Sequence, residues 1–107
     1  MTLIDDQALE AYIRAAELRA KAEVCALYVV DYRSRFAPLY EIWRSTNHAL
    51  LIRGEVVADE RGMKGAKPPG IDGLARMQAD LLAQLPADDR ERRCEESLTE
   101  LRVDRAS

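Results

Sequence analysis

The sequence predicts an all-α protein, a small bundle of three to five helices that residues 1–107 form as a single domain. Apolar residues recur at steps of three and four along most of the chain, which is the period of an amphipathic helix. Glycine and proline are absent from residues 1–37. None of the apolar runs flanked by turn residues is long enough to indicate a β-strand. A length of 107 residues is that of one average domain.

A long N-terminal helix is the first predicted element. Asp5 and Asp6 are suited to its N-terminus, because acidic side chains cap free N–H groups and favour the helix dipole. One helix of roughly 25–30 residues is the simplest interpretation, longer than the average for globular proteins. Its predicted buried stripe consists of Leu9, Ile13, Ala16, Ala20, Val24 and Leu27.

Pro38 predicts the next boundary, because proline disfavours helical backbone in the residue before it. We expect a corner at Ser34–Ala37 and a second helix from Pro38 to about Arg53. Gly54 then serves as its C-cap, or the helix continues through residues 55–58. The apolar residues that this helix is expected to bury are Leu39, Ile42, Trp43, Leu50 and Leu51.

Residues 61–73 contain four of the five glycines and two of the four prolines, which predicts a loop. Asp72 is expected to cap a third helix. Pro86 marks a turn into a fourth. The predicted apolar residues of these two helices are Leu74, Met77, Leu81, Leu82 and Leu85 in the third, and Cys94, Leu98 and Leu101 in the fourth.

Composition restricts the classes of function. A net charge of −3 lacks the basic surface that a nucleic-acid-binding protein needs. No segment approaches the ~20 consecutive apolar residues of a membrane span. The N-terminal residues carry acidic side chains where a signal peptide has basic ones. We therefore expect a cytoplasmic protein with no nucleic-acid or membrane partner.

Residues able to support catalysis or bind metal are few. Cys25 and Cys94 have no partners at metal-binding spacing, and we expect two buried free thiols. A bridge between them is geometrically feasible but disfavoured in a reducing cytosol. His48 is the single histidine, and the Glu-x-x-His spacing of di-iron helices is absent. The loop Gly62–Lys67 lacks the spacing of a phosphate-binding loop. We predict no catalytic residue, metal site or cofactor.

One segment has the composition of a protein interface. Five of the six aromatic residues lie between positions 28 and 43, with steps of four, four, four and three that keep them on one helix face. Such a stripe packs either in the protein's own core or against another protein. Tyrosine, tryptophan and arginine are the residue types typical of binding hot spots. The candidate partner-binding residues are Tyr28, Tyr32, Arg33, Arg35, Phe36, Tyr40, Trp43 and Arg44.

In size, acidic composition and helix layout the whole chain resembles the small helical quorum-sensing antiactivators. The resemblance implies a homodimer that binds the ligand-binding domain of a LuxR-type transcription regulator and disrupts the regulator's dimer, and it assigns no individual residues. The leading hypothesis is thus a non-enzymatic regulator that binds and blocks a larger protein. The alternatives are a toxin-immunity or phage-encoded inhibitor, and a small enzyme or ligand-binding protein that uses His48 and Cys94.

Overall fold

A computed structural model describes the backbone of residues 2–106 and the side chains of residues 4–102. This part of the chain contains five helices and no strand, which confirms the all-α prediction. The helices are α1 (Thr2–Tyr28), α2 (Tyr32–Thr46), α3 (His48–Glu60), α4 (Ile71–Ala83) and α5 (Ala87–Ala106).

The long helix α1 is the centre of the bundle and packs against each of the other four. The Cα atoms span 42 × 34 × 18 Å, and the smallest dimension accommodates two layers of helices at the usual 8–10 Å spacing. One core cluster lies where the first half of α1 meets α3 and α4. The other lies where its second half meets α2, α5 and the end of α4.

The predicted stripe of α1 is buried over most of its length. Leu9, Ala16 and Val24 are buried and Ala20 is half-buried. Leu27, at the last predicted position, is 79% exposed instead. The stripe therefore leaves the core one turn before the helix ends.

The predicted corner at Ser34–Ala37 is wrong, because the chain turns earlier, at residues 29–31. Asp31 has φ 62°, in the left-handed region that aspartate tolerates better than most residues. The Ser34 hydroxyl donates to the Asp31 carbonyl at 2.9 Å and stabilises the start of α2. Pro38 lies inside α2. Its ring is exposed. Because proline has no N–H group, the carbonyl of Ser34 lacks its helical donor, and water can bond to it on this exposed side of the helix.

The single helix predicted from Pro38 to Arg53 is divided into α2 and α3 at Asn47. The Asn47 side chain donates to the Trp43 carbonyl at 2.9 Å, a local bond that competes with helix continuation. Gly54 is not a C-cap, since it lies inside α3 and is buried against α1. The alternative that helix continues through residues 55–58 is confirmed.

The loop extends over residues 61–70, three residues shorter than the predicted 61–73, because α4 begins at Ile71 with Gly70 at the N-cap position. Asp72 lies in the first turn and does not cap the helix. In α5, Cys94, Leu98 and Leu101 are fully buried, as the pattern predicts. The apolar stripe predicted for α4 is largely exposed, and the residues that α4 buries are Ile71, Ala75, Ala79 and Leu82.

Candidate partner-binding surfaces

The two cysteines form a disulfide, which corrects the expectation of free thiols. Cys25 and Cys94 are both fully buried, with Cα atoms 5.8 Å apart, within the range that disulfides span. The bond joins α1 to α5 across 69 residues of sequence. Because the sulfur of Cys94 is bonded, it is not the thiolate nucleophile that the enzyme hypothesis with His48 requires.

His48 is an exposed residue at the start of α3. In the part of the chain that the structure describes, no group of three histidine, cysteine or carboxylate side chains is placed to hold a metal ion. Lys64, in the glycine-rich loop, lies 3.5 Å from the Glu55 carboxylate. This contact attaches the middle of the loop to α3.

Three residues of the aromatic stripe belong to the chain's own core. Tyr32, Phe36 and Trp43 are 1%, 9% and 4% exposed. With the half-buried Tyr40 they form a ladder of stacked rings whose centres are 5.3–5.9 Å apart. Burial raises the pKa of Tyr32 to about 12, and the charge of the nearby Glu95 carboxylate contributes to the rise. This ladder contributes to stability, because aromatic side chains bury large apolar areas.

Two of the three candidate arginines make ion pairs within the chain. Arg35 donates to Glu95 at 2.7 Å and so connects α2 to α5. Arg44 donates to Glu41 on its own helix at 2.6 Å. Arg33 lies on the surface beside the turn between α1 and α2.

The turn between α1 and α2 exposes a group of apolar side chains that the sequence pattern placed in the core or left unassigned. Leu27 and Val30 are 79% and 83% exposed, and Tyr28 is 51% exposed. Together with Arg33 we call these residues the corner surface. Leu27, Val30 and Arg33 line an open groove of about 540 Å³ between the end of α1 and the start of α2, and Tyr28 lies outside the lining of this groove. The sequence did contain one indication of this exposed group: residues 27–30 are four consecutive apolar residues, and these cannot all face the same side of a helix.

Contacts around Asp31 and Tyr28 fix the shape of the corner surface. The Arg90 guanidinium carbon lies 3.7 Å from the centre of the Tyr28 ring, a cation–π contact that joins α5 to the end of α1. The same Arg90 donates to the Ala83 and Leu85 carbonyls at 3.3 Å. The exposed side chains therefore extend from a supported turn between two helices.

A second apolar surface runs along α4. Leu74, Met77 and Leu81 are 50%, 55% and 64% exposed and recur at steps of three and four. With Gln78, which lies on the same side, we call them the α4 face. A cleft of about 230 Å³ adjoins it at the loop end, between Ile13, Met63, Pro68, Pro69 and Leu74. Another of about 330 Å³ lies between the end of α4 and α5.

These observations define a small all-α domain with two exposed apolar surfaces. No protein-family model, curated protein or solved structure matches the chain. None of the described helices combines the length and the apolar character that crossing a membrane requires.

Proposed function

We propose that this protein is a non-enzymatic regulator that binds a larger protein through the corner surface and blocks it. The observation that supports the proposal is the exposure of Leu27 and Val30, by 79% and 83%, at a turn that neighbouring contacts hold in place. Apolar side chains this exposed are costly to solvate when they stand together, and clustered ones mark interaction sites.

The corner surface has the composition that binding energetics favour. Burying a leucine and a valine side chain contributes roughly 1.5–3 kcal/mol each. Association itself costs about 4–15 kcal/mol, so these two residues are not sufficient alone. Arg33 lines the same groove as these two residues, and Tyr28 follows Leu27 in the sequence. Both are of the residue types that dominate binding hot spots.

The support around the turn lowers the cost of binding. A segment that is already held in its bound conformation loses less entropy when it binds than a flexible one. The Ser34 hydrogen bond to the Asp31 carbonyl holds the turn, and Arg90 holds the Tyr28 ring. The residues thus meet a partner as a formed surface.

For the partner, we propose the ligand-binding domain of a LuxR-type transcription regulator, which would make the protein a quorum-sensing antiactivator in the cytoplasm. The Cys25–Cys94 disulfide must then persist in a reducing compartment, and its complete burial shields it from reductants there. Its size, acidic composition and helix layout support this choice. By covering part of the regulator's surface, the protein would prevent the regulator from forming its dimer. A toxin or nuclease as partner would instead assign the protein to the immunity and phage-encoded inhibitors.

The test compares three forms of the full chain as baits for affinity capture from the native host: wild type, Leu27→Glu/Val30→Glu, and Ile52→Glu. Ile52 is the matched control, because it is 56% exposed on α3 and lies outside the corner surface. We expect one stoichiometric partner with wild type and the control, and none with the corner variant.

Calorimetry with the purified partner then measures the loss, which we expect to be at least tenfold in Kd for the corner variant. Circular dichroism confirms that all three proteins are folded. Equal binding by the corner variant would place the partner elsewhere on the molecule. Capture of no partner under conditions of expression would refute the regulator function itself.

A further inference from the structure

We propose that the cleft of about 230 Å³ between α1, the loop of residues 61–70 and α4 binds a small aromatic amine. The ring of this ligand lies against the apolar walls of the cleft, and its ammonium group lies beside the carboxylate of Glu17. The site is separate from the corner surface and does not rest on the regulatory function.

The walls of the cleft are mainly apolar side chains from three parts of the chain. Helix α1 contributes Ile13, the loop contributes Met63, Pro68 and Pro69, and α4 contributes Leu74. Sites for small molecules are typically concave and apolar, with a few polar groups that orient the ligand. A methionine thioether makes favourable contacts with aromatic rings. An aromatic ring therefore suits these walls.

Backbone contacts hold the loop wall in place. The Ile71 amide donates to the Met63 carbonyl at 2.7 Å, and the Gly73 amide donates to the Gly65 carbonyl at 3.3 Å. Gly70 permits this close approach, because a Cβ atom there would lie 2.6 Å from the Met63 carbonyl oxygen. A site whose walls are already formed loses less entropy when a ligand binds than a flexible one.

The volume of the cleft suits one ring with a short chain. A cavity of about 150 Å³ is sufficient to hold benzene inside a protein. The cleft here, at about 230 Å³, has additional room for a chain of two carbon atoms and an amino group. Larger ligands would leave much of their surface in water, whereas pockets usually bury most of it.

Among the described residues that line the cleft, Glu17 is the one that carries charge. It is half-buried, and in this part of the chain its carboxylate has no hydrogen-bond or ion-pair partner. Glu17 follows Ile13 by one turn of α1, about 6 Å along the helix axis. An ammonium group two carbon atoms away from a ring beside Ile13 extends towards this carboxylate. The Gln78 side chain, also in the lining, offers a carbonyl oxygen as a second acceptor.

The lysines near the cleft lie outside its lining. Lys64 is 3.5 Å from the Glu55 carboxylate. Lys21, one turn beyond Glu17 on α1, lines the neighbouring cleft at the end of α4. Lys67 is an exposed residue of the loop. A ligand in the cleft therefore meets the charge of Glu17 directly and those of the lysines across exposed surface, where water weakens them.

The start of α4 does not favour an anionic ligand instead. A free helix N-terminus attracts anions through its N–H groups and its dipole. Here the N–H groups of Ile71 and Gly73 already donate to loop carbonyls, and Asp72 places a carboxylate in the first turn. Arg76, one turn further on, lies 3.2 Å from Glu23 of α1. A cationic group is thus the better fit for this cleft.

The first test titrates the full chain with 2-phenylethylamine and follows the backbone amide signals by NMR. We expect saturable binding with a Kd of about 1 mM or below, typical of a ligand of about nine non-hydrogen atoms, and the largest shifts at Gly62, Gly70 and Leu74. The anionic 3-phenylpropionate has the same ring and carbon chain and should bind roughly fivefold more weakly. Equal binding of the two compounds, or no saturable binding of the amine up to about 10 mM, overturns the proposal.

Two matched pairs of variants locate the site. Glu17→Gln should raise the Kd for the amine roughly fivefold and remove its preference over 3-phenylpropionate. Glu10→Gln, at an exposed position of α1 outside the cleft, should change neither. Leu74→Lys should abolish amine binding by placing a cation in the wall, whereas Met77→Lys should not, since these residues are 50% and 55% exposed and only Leu74 lines the cleft.

The amide spectra also show whether each variant is folded. A folded Glu17→Gln protein that keeps the preference for the amine overturns the role of the carboxylate. Equal loss of binding in Leu74→Lys and Met77→Lys overturns the location of the site.

The outcomes separate this proposal from the regulatory function. The corner variant Leu27→Glu/Val30→Glu should bind the amine as wild type does, because the cleft and the groove at the corner surface share no lining residue. Loss of amine binding in that folded variant would overturn the assignment to the cleft. Loss of the partner protein with amine binding intact concerns the corner surface and supports two separate sites.

Discussion

Replacing Gly54 by alanine tests the closest approach between two helices of the bundle. A Cβ atom at this position would lie 2.8 Å from the Cβ of Tyr12 and nearer still to the carbonyl oxygen of Ala8. Carbon atoms are at optimal contact at about 3.5–4.0 Å, so α1 and α3 would have to separate by roughly 1 Å. The Ala8 carbonyl belongs to helix backbone and cannot rotate away. Separation would loosen the packing of Val57 against α1.

The expected effect opposes intrinsic helix propensity. Alanine favours helix over glycine by about 1 kcal/mol, whereas overpacking in a core costs about 1–3 kcal/mol and sometimes more. Because the obstacle here is backbone on α1, we expect the upper part of that range. The predicted net loss for Gly54→Ala is about 2 kcal/mol in the free energy of unfolding. For a domain of this size it lowers Tm by roughly 10 °C.

The assay is urea unfolding followed by circular dichroism and by the fluorescence of Trp43, the single tryptophan, which is 4% exposed. Ser45→Ala, at an exposed position of α2, is the control for propensity and should change stability by less than about 0.5 kcal/mol in the stabilising direction. If Gly54→Ala is as stable as wild type with an unchanged m value, α1 and α3 do not pack at this distance and the reasoning fails.

Two further predictions concern the core cluster that lies where the second half of α1 meets α2 and α5. Replacing Cys25 and Cys94 together by serine should lower the free energy of unfolding by about 4 kcal/mol, the chain-entropy value for a loop of this length. Thermal unfolding of both forms without reductant measures this difference. Equal stability would show that the bond does not form. The pKa of Tyr32 is raised to about 12, so its contribution to stability is complete below pH 10 and is lost as the pH rises from 10 to 12. Over that interval wild type should lose roughly 2–3 kcal/mol more than Tyr32→Phe in urea titrations, and parallel curves would contradict the assignment.

Much of the architecture was predictable because it depends on local pattern. The steps of three and four residues identified the helices, and Leu98 and Leu101 are buried as their spacing requires. The density of glycine and proline identified the loop that the structure places at residues 61–70. These features are encoded within a few residues of one another.

The corner between α1 and α2 was not predictable from the usual signals. Pro38 suggested a boundary, but its ring is tolerated inside α2 because it faces solvent. The real turn uses Asp31 in the left-handed region, with no glycine or proline nearby. A single aspartate gives no clear signal of this kind, since most aspartates adopt ordinary backbone conformations.

The orientation of α4 was also beyond the pattern. Leu74 and Met77 and the smaller Ala75 and Ala79 all recur at helical steps, so either set was able to face the core. The structure buries the alanines, which permit close packing against the alanines of α1. Only the tertiary fit between two helices decides between such alternatives.

The candidate site was predicted only in part, for the same reason. Tyr28 and Arg33 do lie at the exposed turn, and whether they bind a partner stays a prediction. Tyr32 was proposed from its residue type, which does not distinguish a core tyrosine from an interface tyrosine. Leu27 and Val30 were missed because apolar residues at helical spacing are ordinarily expected to be buried.

The two core clusters become available at different times during synthesis of the chain. The cluster of Leu9 and Ala16 with Val57 and Ile71 contains no buried residue beyond Ala75, so all of its buried residues are synthesised before α5. The other cluster requires Leu98 and Leu101. The second half of α1 must therefore wait, with its apolar side uncovered, until the last helix emerges. During that interval a nascent chain exposes Val24 to chaperones and to neighbouring chains.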